Sequence, residues 1–164
     1  MVLSTHAVTG AAVASLVPAN PVLGFALAFA SHFVLDAIPH WEYHLSSTQV
    51  PRGGDQLEKY VKIGPAFLGD LMKTGADFFL GALLALLLFY PASGIDLRAL
   101  LLGVIGGVLP DFFQFVFWRW RPFWLNHLQR LHHWAHAKKG LDNSPLIGVL
   151  SQVAVIIVVY IVLR

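Results

Sequence analysis

Three clusters of imidazole and carboxylate carry the chemistry this sequence could perform. The first is Ser31-His32-Phe33-Val34-Leu35-Asp36-Ala37-Ile38-Pro39-His40, in which His32, Asp36 and His40 recur at every fourth position. On a helix that spacing puts them on one face, ~6 Å apart along the axis. So arranged, they chelate one divalent ion or serve neighbouring ions; the alternative is local capping and hydrogen bonding. Pro39 kinks or ends the helix and turns His40 and Trp41 toward the site or the surface. The second cluster is Leu131-His132-His133-Trp134-Ala135-His136. His132 and His136 share a helical face as a chelating pair, and His133 stands one residue to the side; the alternative is that all three are amphipathic residues of an interfacial helix. The third is Gly107-Val108-Leu109-Pro110-Asp111. Pro110 frees a backbone carbonyl, and Asp111 has no cation in its own helix, so it needs a metal, an arginine or a histidine from elsewhere. Asp77 is in the same position, whereas Asp70 has Lys73 three residues on. His127 reads as structural.

Other chemistries are excluded by what is missing. Without cysteine there are no disulfides, thiolate nucleophiles or zinc-thiolate sites, so any metal is held by imidazole and carboxylate. The sequence has no Gly-Lys-Ser/Thr phosphate loop and no Gly-x-Ser-x-Gly elbow. Hydrophobic residues make up 57% of it, charged residues only 12%, and the mean hydropathy is +0.67. A soluble domain carries about 25% charged residues. This chain has too few to cover itself for water, so its apolar side chains face lipid. The net charge of +2 and pI of about 9.1 read as basic loops against an anionic leaflet, not as a nucleic-acid surface. The start, Met1 to His6, lacks the basic region of a signal peptide, which predicts that the first apolar segment is retained.

The elements that must position these groups are apolar helices over residues 4–17, 22–38, 66–90, 97–118 and 145–163, punctuated by proline, glycine and asparagine. An interfacial helix over 122–139 has Pro122 in its first turn, Gly140 as its cap and tryptophans at headgroup depth. The expected fold is therefore all-α: a single integral membrane bundle of four to five apolar helices plus an interfacial amphipathic helix. The first segment is too short to cross untilted and packs through its small residues. Basic residues gather in the two long loops, which predicts that both are cytoplasmic and that the turn near Arg98 is outside.

On that topology His32, Asp36, Asp77, Asp111 and the late histidines all fall at the cytoplasmic ends of their segments. A charged residue inside a bilayer costs roughly 2.5–3.5 kcal/mol on insertion scales, so each needs a partner or a water-filled cavity. Several at one depth partner one another. The residues thus predict a metal centre for Zn²⁺, one ion or two, with His6, His32, Asp36, Asp111, His132 and His136 as ligands. Asp77 and His133 are the candidates for acid–base work.

The motifs Thr5-His6 with Gly10, Ser31-His32-Phe33-Val34-Leu35-Asp36, Leu109-Pro110-Asp111 and the late paired histidines resemble those of a known family, in altered order and over part of the chain. It is the bacterial membrane-bound metal-dependent hydrolase family, LexA-regulated proteins of the inner membrane. The resemblance implies a multi-pass hydrolase distantly like helical zinc phospholipases. A phosphoester or lipid headgroup at the cytoplasmic face, on a phospholipid or an isoprenoid phosphate, is the expected substrate, with Arg119, Arg121 and Arg130 near enough in sequence to meet a phosphate. The competing readings are an ion, proton or metal transporter using the same belt, haem held by two histidines, and a structural membrane protein.

Overall fold

Proline and its neighbours set most helix boundaries. In the computed structural model, which describes residues 1–90, 96–137, 141 and 143–163, helix α1 spans Leu3–Ser15 and stops before Pro18. Helix α2 spans Pro21–Asp36; Pro21 opens it and the Asn20 side chain accepts from Leu23 N at 3.0 Å. Helix α3 is Pro65–Phe89, α4 is Leu97–Trp120 with Asp96 as its cap, α5 is Asn126–Ala135, and α6 is Pro145–Leu163. The turn at 91–94, Lys138, Lys139 and the expected cap Gly140 lie outside the described residues.

The described chain is mostly helical, and α3, α4 and α6 are long and apolar enough to cross a membrane. Three differences from expectation concern ends and loops. Helix α2 stops at Asp36, two residues short of the expected end, because Pro39 cannot continue it. The interfacial element is a 3₁₀ turn, Phe123–Leu125, followed by α5, which ends at Ala135 rather than near 139. The polar stretch after α2 carries a two-stranded antiparallel ladder, β1 Thr48–Gln49 against β2 Tyr60–Val61.

Helix α1 is the centre of the molecule, touching α2, α3, α4 and α6. Almost every residue from Ser4 to Ala14 is buried. A helix enclosed this way needs small faces on all sides, and Gly10, Ala11, Ala12 and Ala14 supply them. Backbone meets backbone at α4: a Cβ on Gly103 would stand 2.7 Å from Gly10 O and 2.6 Å from Ala14 Cβ, and one on Gly107 would overlap His6 O.

The polarity of the whole is inverted relative to a water-soluble domain. Buried side chains include Thr5, His6, His32, Asp36 and Gln152, while Val34, Phe79, Leu83, Leu87, Ile157 and Ile161 lie exposed along the helices. Lipid around the outer belt satisfies that distribution; water does not. At one end of the bundle the two long loops meet. The Arg121 guanidinium donates to Leu57 O and Lys59 O of the first loop, and Ala137 N donates to Asp36 O at 2.8 Å.

The close approach of α1 to α4 yields a packing prediction. Gly107→Val overpacks that contact and lowers stability by about 1–3 kcal/mol or more. Gly75→Ala, where an added Cβ meets nothing within 4 Å among the described residues, holds or raises it. Thermal midpoints of the detergent-solubilised proteins read both, and equal midpoints for the two variants would contradict the packing described.

Candidate metal centre

Asp36 is the residue on which the polar cluster converges. It ends α2, is 1% exposed, and turns both carboxylate oxygens toward nitrogen. Its Oδ2 lies 3.1 Å from His32 Nε2 and 2.9 Å from His132 Nε2, which are themselves 3.2 Å apart. Asp111 Oδ1, from α4, stands 3.7 Å from both imidazole nitrogens. A four-coordinate ion with bonds of about 2.0–2.1 Å at tetrahedral angles holds its donors ~3.3 Å from one another. These separations bracket that figure, and all four donor atoms lie within 4.8 Å of one another.

The proton inventory calls for a proton or a cation among them. His32 Nδ1 lies 2.8 Å from Gly107 O, which can only accept, so the ring proton of a neutral imidazole resides there. Its Nε2 then points a lone pair at a carboxylate and at a second imidazole nitrogen. Lone pairs so gathered repel unless a proton or a metal stands between them. A carbonyl that fixes the far nitrogen is the usual support of a metal-ligating histidine. These buried groups can hold a metal ion.

Around Asp36 Oδ1 is a second gathering. The α-amino group of Met1 is 2.6 Å away, His6 Nε2 3.1 Å and His40 Nε2 4.0 Å. His6 stacks on His32 with ring centres 3.9 Å apart, yet both its ring nitrogens are buried without a hydrogen-bond partner among the described residues. Its approach to Asp36 is close but poorly directed for a hydrogen bond. Such orphaned donors suit a site that takes an ion.

His40 and His136 end up differently from what helical spacing implies. Pro39 ends α2, and His40 returns on extended chain, its Nδ1 donating to Ile38 O at 2.6 Å. His136 follows the last residue of α5 in extended conformation, so it leaves the face of His132. The two imidazoles meet each other instead, ring centres 4.8 Å apart, over Glu42. Glu42 Oε1 is 3.1 Å from His40 Nε2 and 2.9 Å from His136 Nε2. Partial burial works against charge on both Glu42 and His136, but their mutual attraction outweighs it: the Glu42 carboxyl is held below the usual carboxylate range and the His136 imidazole is raised. Glu42 was missed at the level of sequence; the signal was alternation, since residues two apart on extended chain share a side.

Other candidates are elsewhere. Asp77 accepts from Ser4 N at 3.3 Å and from the Tyr43 hydroxyl at 3.4 Å, so it anchors the first loop and α1 rather than joining the donor set. Burial and the Asp77 charge push the Tyr43 phenol up, which keeps it a donor. His133 is exposed on the outer side of α5, because α5 turns His132 inward. His127 is exposed too, and Asp70 accepts from Ser47 N with Lys73 3.5 Å away. Of the arginines, Arg121 ties down the first loop, Arg119 lies over Trp120, and Arg130 is exposed.

A cavity of about 1080 Å³ opens between α3, α4 and the first loop. Phe67, Leu71, Phe78, Ile105, Val108 and Phe112 make apolar walls, and Asp111, Glu42 and Lys59 also line it. Asp111 is 25% exposed while the other three members of its donor set are sealed. Compared with protein families, characterised proteins and solved structures, the chain matches none.

Histidine pairs on α5 provide the test of this placement. His132→Ala is expected to weaken Co²⁺ binding at least tenfold, read from the visible absorbance of the bound ion, whereas His133→Ala leaves it unchanged. Equal losses in the two variants would refute the orientation of α5.

Proposed function

We propose that this chain is a membrane-embedded, metal-dependent hydrolase that acts on a phosphoester at a lipid headgroup. The observation that carries the reading is the convergence of His32 and Asp36 of α2, Asp111 of α4 and His132 of α5, at the edge lengths of a four-coordinate ion. An all-nitrogen-and-oxygen set of two imidazoles and two carboxylates favours Zn²⁺ among the common divalent ions. When bound, such an ion supplies Lewis acidity and lowers the pKa of a water molecule toward ~7.

The chain's own residues supply the rest. His32, held by Gly107 O, and His132 orient the inner wall of the site, and Asp36 and Asp111 balance its charge. Asp111 faces the cavity, so substrate reaches the cluster from that side. The apolar walls suit acyl or isoprenoid chains, and Lys59, with Nζ 4.5 Å from the Trp118 ring centre, offers a positive charge to a phosphate. A phospholipid or an isoprenoid phosphate has both parts. The Arg and Lys residues of the two loops that meet at this end support a cytoplasmic orientation in a bacterial inner membrane. The opposite ends, Leu83 to Phe89 and Val153 to Val159, are unbroken apolar, which speaks against a conducting path.

Purified protein in mixed micelles with phospholipid or isoprenoid phosphate tests the proposal. Mass spectrometry is expected to detect the hydrolysed headgroup, with chelator treatment and Asp111→Asn each lowering turnover on the order of 100-fold or more. Full turnover by metal-depleted protein would end the metal reading, and metal-loaded protein inert toward both lipid classes would end the substrate assignment.

A further inference from the structure

The geometry points to a second cation site, made by Asp36, His40, His136 and Glu42 and joined to the first through the two oxygens of Asp36. It rests on the reading of the first centre only through that shared carboxylate. Donor atoms of Asp36, His40 and His136 lie within 4.8 Å of one another. Glu42 Oε1 touches both imidazole nitrogens, at 3.1 and 2.9 Å.

His40 supplies the independent observation. Its Nδ1 faces the Ile38 carbonyl at 2.6 Å, so a neutral ring keeps its one proton there. The buried Nε2 then directs a lone pair at Glu42, an acceptor that cannot donate while ionised. A proton on Nε2 or a metal ion stands between them, and two imidazoles plus two carboxylates are donors that hold a divalent metal. The main chain secures the arrangement: Ala137 N donates to Asp36 O and Leu141 N to His40 O, both at 2.8 Å, so the segment bearing His136 runs beside the one bearing His40.

The two sites differ in access. Asp36, His32 and His132 are sealed, whereas Glu42 is 48% and His136 30% exposed, and Glu42 lines the cavity. The second ion is thus the more exchangeable and the nearer to incoming substrate. A pair of ions about 3.5–4 Å apart clamps both the entering and the departing oxygen of an in-line phosphoester displacement. The rival occupant is the α-ammonium of Met1, 2.6 Å from Asp36 Oδ1 and 3.4 Å from Glu42 Oε1.

Metal content decides between them. Detergent-purified full chain is loaded with Zn²⁺, freed of excess by gel filtration and measured by inductively coupled plasma mass spectrometry. Two ions per chain are expected in the wild type, one in Glu42→Gln and one in His40→Ala, with a weak chelator removing the first ion lost about tenfold faster than the second. Loading with Mn²⁺ provides a readout that needs no variant: an exchange-coupled electron paramagnetic resonance signal in the wild type. One ion per wild-type chain with an uncoupled Mn²⁺ signal would overturn the second site and leave the first intact. Two ions retained in both variants would overturn the ligand assignment. No bound metal at all would overturn the first centre as well, so the two failures are distinguishable.

Discussion

A carboxylate sealed among apolar helices is the constraint from which the rest of this structure follows. Asp36 is out of reach of water, and the effective cost of taking an ion out of water is several kcal/mol even after the surroundings relax. It can stay ionised only if positive charge or well-aimed donors surround it. Four stretches of chain arrive for that purpose: α1 with His6, α2 itself with His32, the loop with His40, and α5 with His132. Helix α4 closes the group with Asp111 and holds His32 through Gly107 O. Removing one partner leaves the charge without compensation, so electrostatics ties these elements together alongside their close packing.

The placement of small residues answers the same constraint. For α2 and α4 to bring His32 and Asp111 to one point, the faces they share with each other and with α1 have to be thin. Glycines on facing surfaces let α1 lie directly against α4, and Gly106 does the same for α2, where an added Cβ would stand 2.7 Å from Phe25 O. Gln152 then fixes α6 to the assembly: its Oε1 accepts from Val2 N and Thr5 Oγ1, and its Nε2 donates to Trp41 O. Inside a bilayer such interhelical hydrogen bonds and close backbone packing replace the hydrophobic drive that lipid cannot supply.

Much of this was legible in the residues themselves. Apolar length and punctuation located the helices because Pro18, Asn20, Pro21, Pro65, Asp96 and Pro145 act locally, through backbone geometry and capping. The four-residue spacing of His32 and Asp36 read correctly because both lie inside one helix. The same rule does not extend to His40, which Pro39 takes out of the helix as its chemistry implies, and it failed at His136, one residue past the end of α5. Spacing also says which residues share a side but not which side turns inward: His132 and His133 are neighbours, and packing of α5 alone decides that the first is buried and the second exposed. Asp77 shows the remaining difficulty, since an unpartnered carboxylate in a sequence is partnered in space by a tyrosine and a backbone amide from distant segments.

The central position of α1 has a consequence for how the protein is made. Translation proceeds from the amino-terminal side, so α1 leaves the ribosome before α3, α4 and α6, the helices that later enclose it. A thirteen-residue helix reaches only ~20 Å, short of the ~30 Å of hydrocarbon, and cannot settle across a bilayer by itself. The interior of the bundle is therefore filled by a segment synthesised before most of the walls that enclose it.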